Sequence, residues 1–515
     1  MFRTRPIVSA TALSLAIATP LSADVTTQQV WNNWKTGLES FGYVVEAERS
    51  SDGDTLSLDD IVLRFEGSEE TASVTMSVGS MTLAARDDGT VRVTMPPQMT
   101  VRGEIVPPSG APDDDPVSFA IDLMQADQAI IVSGDPETME YDYSASRLEM
   151  ALAELVVGAD PITDDMVRAS MVAEGVNSRT VASQGDMRTY DQTMQIDTVQ
   201  YSLFITDTET ADVPETMTIN GTAGPITMAS TSTVPDQPVD TAATNAFMAN
   251  GFATDGTFNS TNSVAEIEVL NAQGTSKIKT ETANGSLAIA VGPDGASYGL
   301  EQKDVQIGAQ LAGIPFPVFL EMAKNGLNLR MPLEKREEPQ NFAVGFNVTD
   351  FSMSDIIWSL FDPEAKLPRD PATIALDLTG KARLLFDLMN PEDAEQLALS
   401  GATPGELRSL NIEQLKVDAV GARLEGQGAL TFDDPSKMIA PGLPEPSGEI
   451  NLALEGGNGL LDTLVGMGFV PQDMAMGARM MMGLFAVPGD APDTLSSKIE
   501  FTDDGQILAN GQRIR

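Results

Sequence analysis

Apolar and polar residues alternate at period two along much of the chain. The clearest run is residues 373–387, where Ile374, Leu376, Leu378, Ala382, Leu384 and Phe386 fall on one side. Thr373, Asp377, Thr379, Lys381, Arg383 and Asp387 fall on the other. Successive side chains of a strand point to opposite faces, so this run predicts a long strand with one buried and one wet face. Phe342, Val344, Phe346 and Val348 repeat the pattern, as do Val91, Val93 and Met95, and Ile450, Leu452 and Leu454.

Turn chemistry punctuates these runs. Asp52-Gly53, Asp88-Gly89, Asp294-Gly295 and Asp504-Gly505 suit hairpins that need positive φ, which predicts a largely antiparallel sheet. In two places the apolar phase flips within a run. Leu56 and Leu58 give way to Ile61, Leu63 and Phe65 across Asp59-Asp60, and Val74, Met76 and Val78 to Met81 and Leu83 across Gly79-Ser80. Each flip predicts a β-bulge.

Helical periodicity is scarce. Residues 27–41 place Val30, Trp31, Trp34, Leu38 and Phe41 on one stripe, behind a Thr26/Gln29 capping box. Ser354 precedes a short helix that stops at Asp362-Pro363, Pro317 opens another closed by Gly326, and Asn390-Pro391 starts one ending near Gly401. Residues 458–467 and 472–486 read as a helical pair inserted between strands 449–454 and 495–501. Residues 144–200 fit either a helix or a strand.

The fold class expected is mainly β (α+β): one or two long, twisted antiparallel sheets, with a few short helices packed on one face. The small, polar, proline-containing stretch 229–245 reads as a linker. It divides an N-terminal lobe, 24–228, from a C-terminal lobe, 246–515, that carries the helical pair 458–486.

Arg3 and Arg5, the uncharged apolar Ile7–Ala18 and the small residue Ala23 make residues 1–23 a signal peptide, so the expected address is the periplasm. No later segment is long and apolar enough to span a bilayer. The 31 basic and 75 acidic residues leave a net charge of −44, which repels nucleic acid and anionic lipid headgroups. There is no cysteine and no histidine. Disulfides, Cys/His zinc sites and His-dependent catalytic sets are thereby excluded, and no cofactor is expected.

Residues 474–487, M-A-M-G-A-R-M-M-M-G-L-F-A-V, carry five methionines and a single charge, Arg479. Met474, Ala478, Met481 and Phe485 share one helical face; Met476, Met480, Leu484 and Val487 share another. Methionine is an adaptable apolar filler, so packing in a core ranks first. Contact with lipid or another apolar ligand ranks second, with Met474, Met481, Phe485, Met480 and Leu484 as its residues. A copper(I) thioether site ranks third.

The segments D-V-T-T-Q-Q-V-W-N-N-W (24–34), D-I-I-W-S-L-F-D-P-E-A-K-L-P-R-D-P-A-T (355–373), G-Q-G-A-L-T-F-D-D (426–434) and F-T-D-D-G-Q-I-L-A-N-G (501–511) together resemble a family of alphaproteobacterial exported proteins, domain of unknown function 2125. That resemblance implies export and a β-rich fold, and brings no activity with it. More loosely, strands interrupted by a helical pair and followed by a terminal hairpin are similar to envelope proteins of the AsmA type. Those proteins are associated with lipid movement between membranes.

Other motifs read as structural. Asp113-Asp114-Asp115, Asp164-Asp165 and Asp433-Asp434 sit beside turn signals and lack calcium-loop spacing. Ser276-Lys277-Ile278-Lys279 matches a Ser-x-x-Lys motif, but lies in an apparent strand. Arg369 is expected to pair with Asp370 or another local acid rather than with a phosphate. The leading expectation is a non-enzymatic envelope protein that binds lipid or another apolar ligand, with lipid or a second envelope protein as partner. A ligand-free scaffold and a carboxylate-based hydrolase are the alternatives.

Overall fold

The computed structural model describes residues 24–67, 72–108, 115–207, 214–235, 250–434, 437–440 and 443–514. The expected signal peptide, residues 236–245 of the expected linker and the four residues after it lie outside them. The fold is mainly β, a long antiparallel sheet with a few short helices on one face. Among the described residues, hydrogen bonding joins the strands into one 27-stranded sheet, with a two-stranded piece, Met438–Ala440 and Leu443–Pro444, apart from it.

Long strands organise the first half. Thr138–Val157 pairs with Ala129–Gly134 along its first part and with Val117–Ala126 along the rest. Ala253–Asn271 likewise pairs with Ile226–Pro235 and then with Glu215–Ala223. Residues in the left-handed region, among them Asp60, Gly79, Asp127, Gly175, Asn262, Asp304 and Asp350, recur along the strands or at the joints between short ones. Asp and Asn tolerate this conformation and Gly has no Cβ to oppose it, so these positions accommodate the bends. The flips expected at Asp59-Asp60 and Gly79-Ser80 are register shifts between Leu58, Ile61 and Val62 and their partners. From Gly274 onward each strand pairs with the next in simple succession as far as Ala422–Thr431.

Two expectations are corrected and one open reading is resolved. Residues 317–326 are not a helix: Val318–Met331 is a strand in which Leu320 and Met322 face Ile307 and Val305 across the ladder. Its i, i+2 apolar spacing finds a partner strand, and that pairing overrides helix propensity. Residues 229–235, read as the start of a linker, complete the strand Ile226–Pro235, and their small polar side chains pair with Ala253–Gly256 and neighbours. The ambiguous stretch 144–200 is strand, chiefly Thr138–Val157 and Val167–Ser183.

The helices otherwise sit where periodicity puts them, at Thr27–Ser40, Asp355–Phe361, Pro391–Ser400, Gly457–Gly466 and Gln472–Phe485. Thr26 caps the first through a reciprocal capping box with Gln29. Asn390 caps Pro391–Ser400, which Gly401 ends in the left-handed region. The largest apolar core forms where the first helix lays Val30 and Trp31 on Leu56, Leu58, Leu83, Val91, Val93 and Val132. Trp31→Ala leaves a cavity there and should lower the unfolding free energy of this end by about 3–5 kcal/mol, read by urea denaturation with circular dichroism.

Candidate functional site

Directly paired residues of an antiparallel ladder lie on the same face of the sheet. Following partner to partner from the core under the first helix therefore traces one face across the molecule. The row begins Leu56, Leu83, Val93, Ile130 and Tyr143. It passes through Ser178 to Met194, Met228, Phe258 and Leu287. It continues through Leu300, Leu327, Phe346, Leu376 and Leu415. A parallel row one step along the strands reads Ile289, Tyr298, Leu329, Val344, Leu378 and Ile412. Neither stretch contains a charged residue.

The first end of this face is covered and the middle is not. Beyond the core, Met228, Ile289, Val344, Phe346 and Ile374 stay exposed, Phe346 at 44 %, and Leu300, Leu327 and Leu376 are half-buried. The face expected to be buried in residues 373–387 is thus correctly phased but unsealed, and the strand itself ends at Leu384. From Met194 to Leu415 the row crosses successive strands about 4.8 Å apart, an uncovered apolar band roughly 40 Å long. The opposite face carries small and polar residues at the paired positions, such as Ser286, Glu301, Gly326, Asn347 and Ala375, around a hollow of about 370 Å³.

The methionine helix lies at the far end of the sheet. Its hairpin partner starts on the apolar face, where a Cβ at Gly457 would come within 2.7 Å of Leu454. The carbonyl of Phe485 accepts from Ser497 Oγ at 2.6 Å and Asn510 Nδ2 at 3.0 Å, and Arg479 pairs with Asp462. Packing in a core, the reading ranked first for this helix, is corrected. Met474, Met476, Met480 and Met481 are 54–74 % exposed and Leu484 is exposed too; Phe485 is half-buried and Ala475 is buried. Among the described residues no second layer covers the two apolar faces.

The remaining candidates are local structure. Arg369 pairs with Asp355 at 2.5 Å instead of with Asp370, and lies 5.7 Å from the Trp358 ring centre. Asp362 is fully buried, and burial pushes its pKa up. The Leu367 and Lys366 backbone N–H groups, each at 2.9 Å, and Arg369 outweigh burial and hold it below the ordinary carboxylate value. Ser276 lies in a strand and accepts from the Ala312 N–H, while Lys279 pairs with Glu281. Asp165 accepts from Thr163 in a turn, and Asp113 and Asp114 lie outside the described residues. No three acidic side chains converge as a metal site among the described residues.

Two outcomes follow from this placement. Limited peroxide treatment should oxidise Met474, Met476, Met480 and Met481 well before Met139, which is 1 % exposed, as read by peptide mass mapping. The stabilisation from Asp362, whose native pKa is depressed, is complete above the unfolded value of about 4 and is lost as pH falls through the lower native value. Asp362→Asn should therefore melt lower than the parent at pH 6, with the gap closing as the pH falls below the ordinary carboxylate value.

No curated protein and no solved structure matches the chain. A family model does match, over residues 264–511, which takes in the strands from the second half of Ala253–Asn271 to Ile507–Ala509 and the methionine hairpin. The N-terminal segment 24–34 that resembled the family falls outside it. Residues 264–511, just under half of the chain, match the model of the family DUF2125, described as an uncharacterized protein conserved in bacteria.

Proposed function

We propose that the chain is an exported, non-enzymatic envelope protein that holds lipid or another apolar ligand along the uncovered band of the sheet. The observation that carries this is the register. Leu287, Leu300, Leu327, Phe346, Leu376 and Leu415 are successive ladder partners on one face, yet several positions of that face remain open to solvent. An apolar strip of this length needs a cover. An acyl chain meets that need because it requires no hydrogen bonds from a wall that offers none. Covering about ten methylenes is worth about 8 kcal/mol, a dissociation constant of about 1 µM before ordering costs. The methionine hairpin fits the same role: exposed thioethers are adaptable apolar surface, and Met474, Met480, Met481, Leu484 and Phe485 stand at one end of the face. Residues 1–23 supply the export signal in this reading, and the net charge of −44 disfavours anionic headgroups and nucleic acid.

The test is native mass spectrometry of the full chain purified from a periplasm without detergent, followed by organic extraction. Bound species of lipid mass are expected. Leu327→Asp combined with Phe346→Asp should reduce the lipid-bound fraction at least about tenfold, since each carboxylate would have to be desolvated under the chain. Both sites are at least partly open, so circular dichroism should be unchanged. A parent protein with no bound lipid would overturn the proposal and leave the band as a surface for another protein.

A further inference from the structure

Where the first helix meets the sheet, its last turns and the ladder line an open-mouthed cavity of about 440 Å³. Trp34, Leu38 and Phe41 line it from the helix, and Tyr141, Tyr143 and Tyr190 from three-stranded pairing below. Tyr190 reaches in because residue 37 is glycine: a Cβ there would lie 2.6 Å from the Tyr190 hydroxyl. Trp34 stacks on Tyr141 with ring centres 5.7 Å apart. Thr180 and the tyrosine hydroxyls aside, the walls are apolar with one buried exception.

That exception is Asn33, which is 3 % exposed and lines the cavity. Its Oδ1 accepts from the Tyr141 hydroxyl at 3.0 Å, but its Nδ2 has no partner. A buried donor without an acceptor costs about 1–3 kcal/mol, so an amide left open beside an aromatic cavity is a position for a ligand acceptor. Burial pushes the Tyr141 phenol above its ordinary value; its hydroxyl has Asn33 Oδ1 as the nearer acceptor and Met139 Sδ at 3.3 Å as the other, and neither contact engages Nδ2. No carboxylate or ammonium lines the cavity. The Arg188 guanidinium sits behind it, on the Asn33 backbone oxygen at 3.4 Å. A charged ligand would be desolvated here without a counter-ion in the walls.

We infer that this cavity is a discrete binding site for an uncharged apolar molecule carrying a carbonyl oxygen, which accepts from Asn33 Nδ2 while its hydrocarbon body packs on Trp34, Tyr141 and Tyr190. The site stands on the closed end of the sheet and does not depend on whether the open band holds lipid. An aromatic ketone, an ester or an amide group on an apolar body all present the required acceptor.

Benzophenone tests this directly, being an uncharged diaryl ketone that inserts into neighbouring C–H bonds on irradiation. The full chain is irradiated with it and the adducts are mapped by peptide mass spectrometry. The main adducts should fall in peptides containing residues 33–41, 141–143 or 190. Asn33→Leu should reduce that labelling about tenfold, and Leu38→Trp, which fills the cavity without touching the Asn33–Tyr141 bond, should abolish it. Diphenylmethane, the same body without the oxygen, should need about tenfold excess to halve labelling of the parent, which keeps the test in force if Asn33→Leu does not fold. No adducts in the peptides that line the pocket, or pocket labelling indifferent to Asn33 or to the competitor's missing oxygen, would overturn the assignment. Lipid co-purification plays no part in that outcome, so the two readings fail separately.

Discussion

Register is the constraint on which the rest of this structure depends. In an antiparallel ladder a residue and its direct partner share a face, and a slip of one position would turn every side chain to the other side. From Gly274 to Thr431 long strands pair in succession, with register shifts between Val348 and Phe351, Asp377 and Leu378, Lys381 and Ala382, and Ile412 and Leu415, and leucines and phenylalanines many residues apart become one continuous row. No single strand contains that row. It exists only because successive hairpins are matched in length and turn, with Gly295 at φ 103° closing the Gly292–Gly295 hairpin and Gly274 at φ 121° closing the one before it.

The same face has different fates along its length. At the start a capped amphipathic helix covers it, and Val30, Trp31, Leu58 and Val93 disappear from solvent. Further on nothing of comparable size among the described residues lies over Phe346 or Val344, and the apolar positions remain open. At the far end a helical hairpin arises on the face at Leu454 but turns most of its own methionines outward. The aromatic cavity lies at the first of these transitions, where the helix ends at Ser40 and Gly37 leaves room for Tyr190. A gap is physically natural there, because a helix of this length covers only the strands beneath it.

Much of the fold was legible because strand periodicity is a local property. Ile374, Leu376 and Leu378 announce their common face without any knowledge of their neighbours, and Asp-Gly pairs announce their turns. What failed locally was Val318–Met331, where a proline before it and a glycine inside it imitate helix boundaries while the true partner is a strand. The extent of burial was not legible at all. Alternation says which side an apolar residue takes, and says nothing of whether a second layer arrives to cover it. The methionine helix shows this most plainly: two apolar faces suggest two partners, and the sheet meets it through hydrogen bonds to the Phe485 carbonyl while Met474, Met476, Met480 and Met481 stay exposed. The cavity was also missed. Tyr141 and Tyr143 are visible as an aromatic pair at strand spacing, but Asn33 and Tyr190 join them from elements far apart in sequence.

A long open apolar face invites self-association, and the charge of the chain bears on that hazard. Excess acid spread along the sequence gives every copy the same sign, so two bands meeting face to face must bring two strongly negative bodies together. Screening weakens that repulsion as ionic strength rises, since the Debye length is only about 8 Å in physiological salt. The sheet edge is treated in the same way: the first strand, Tyr43–Asp52, is largely exposed and carries Glu46, Glu48, Arg49 and Asp52, which discourages a further strand from pairing there. The protein thus keeps its edge and its surroundings hostile to other copies while leaving the middle of one face apolar. That combination is hard to explain as a core left unfinished, because a chain under pressure only to be soluble would place polar residues at Val344, Phe346 and Ile374, where exposure makes the exchange nearly free of cost to stability.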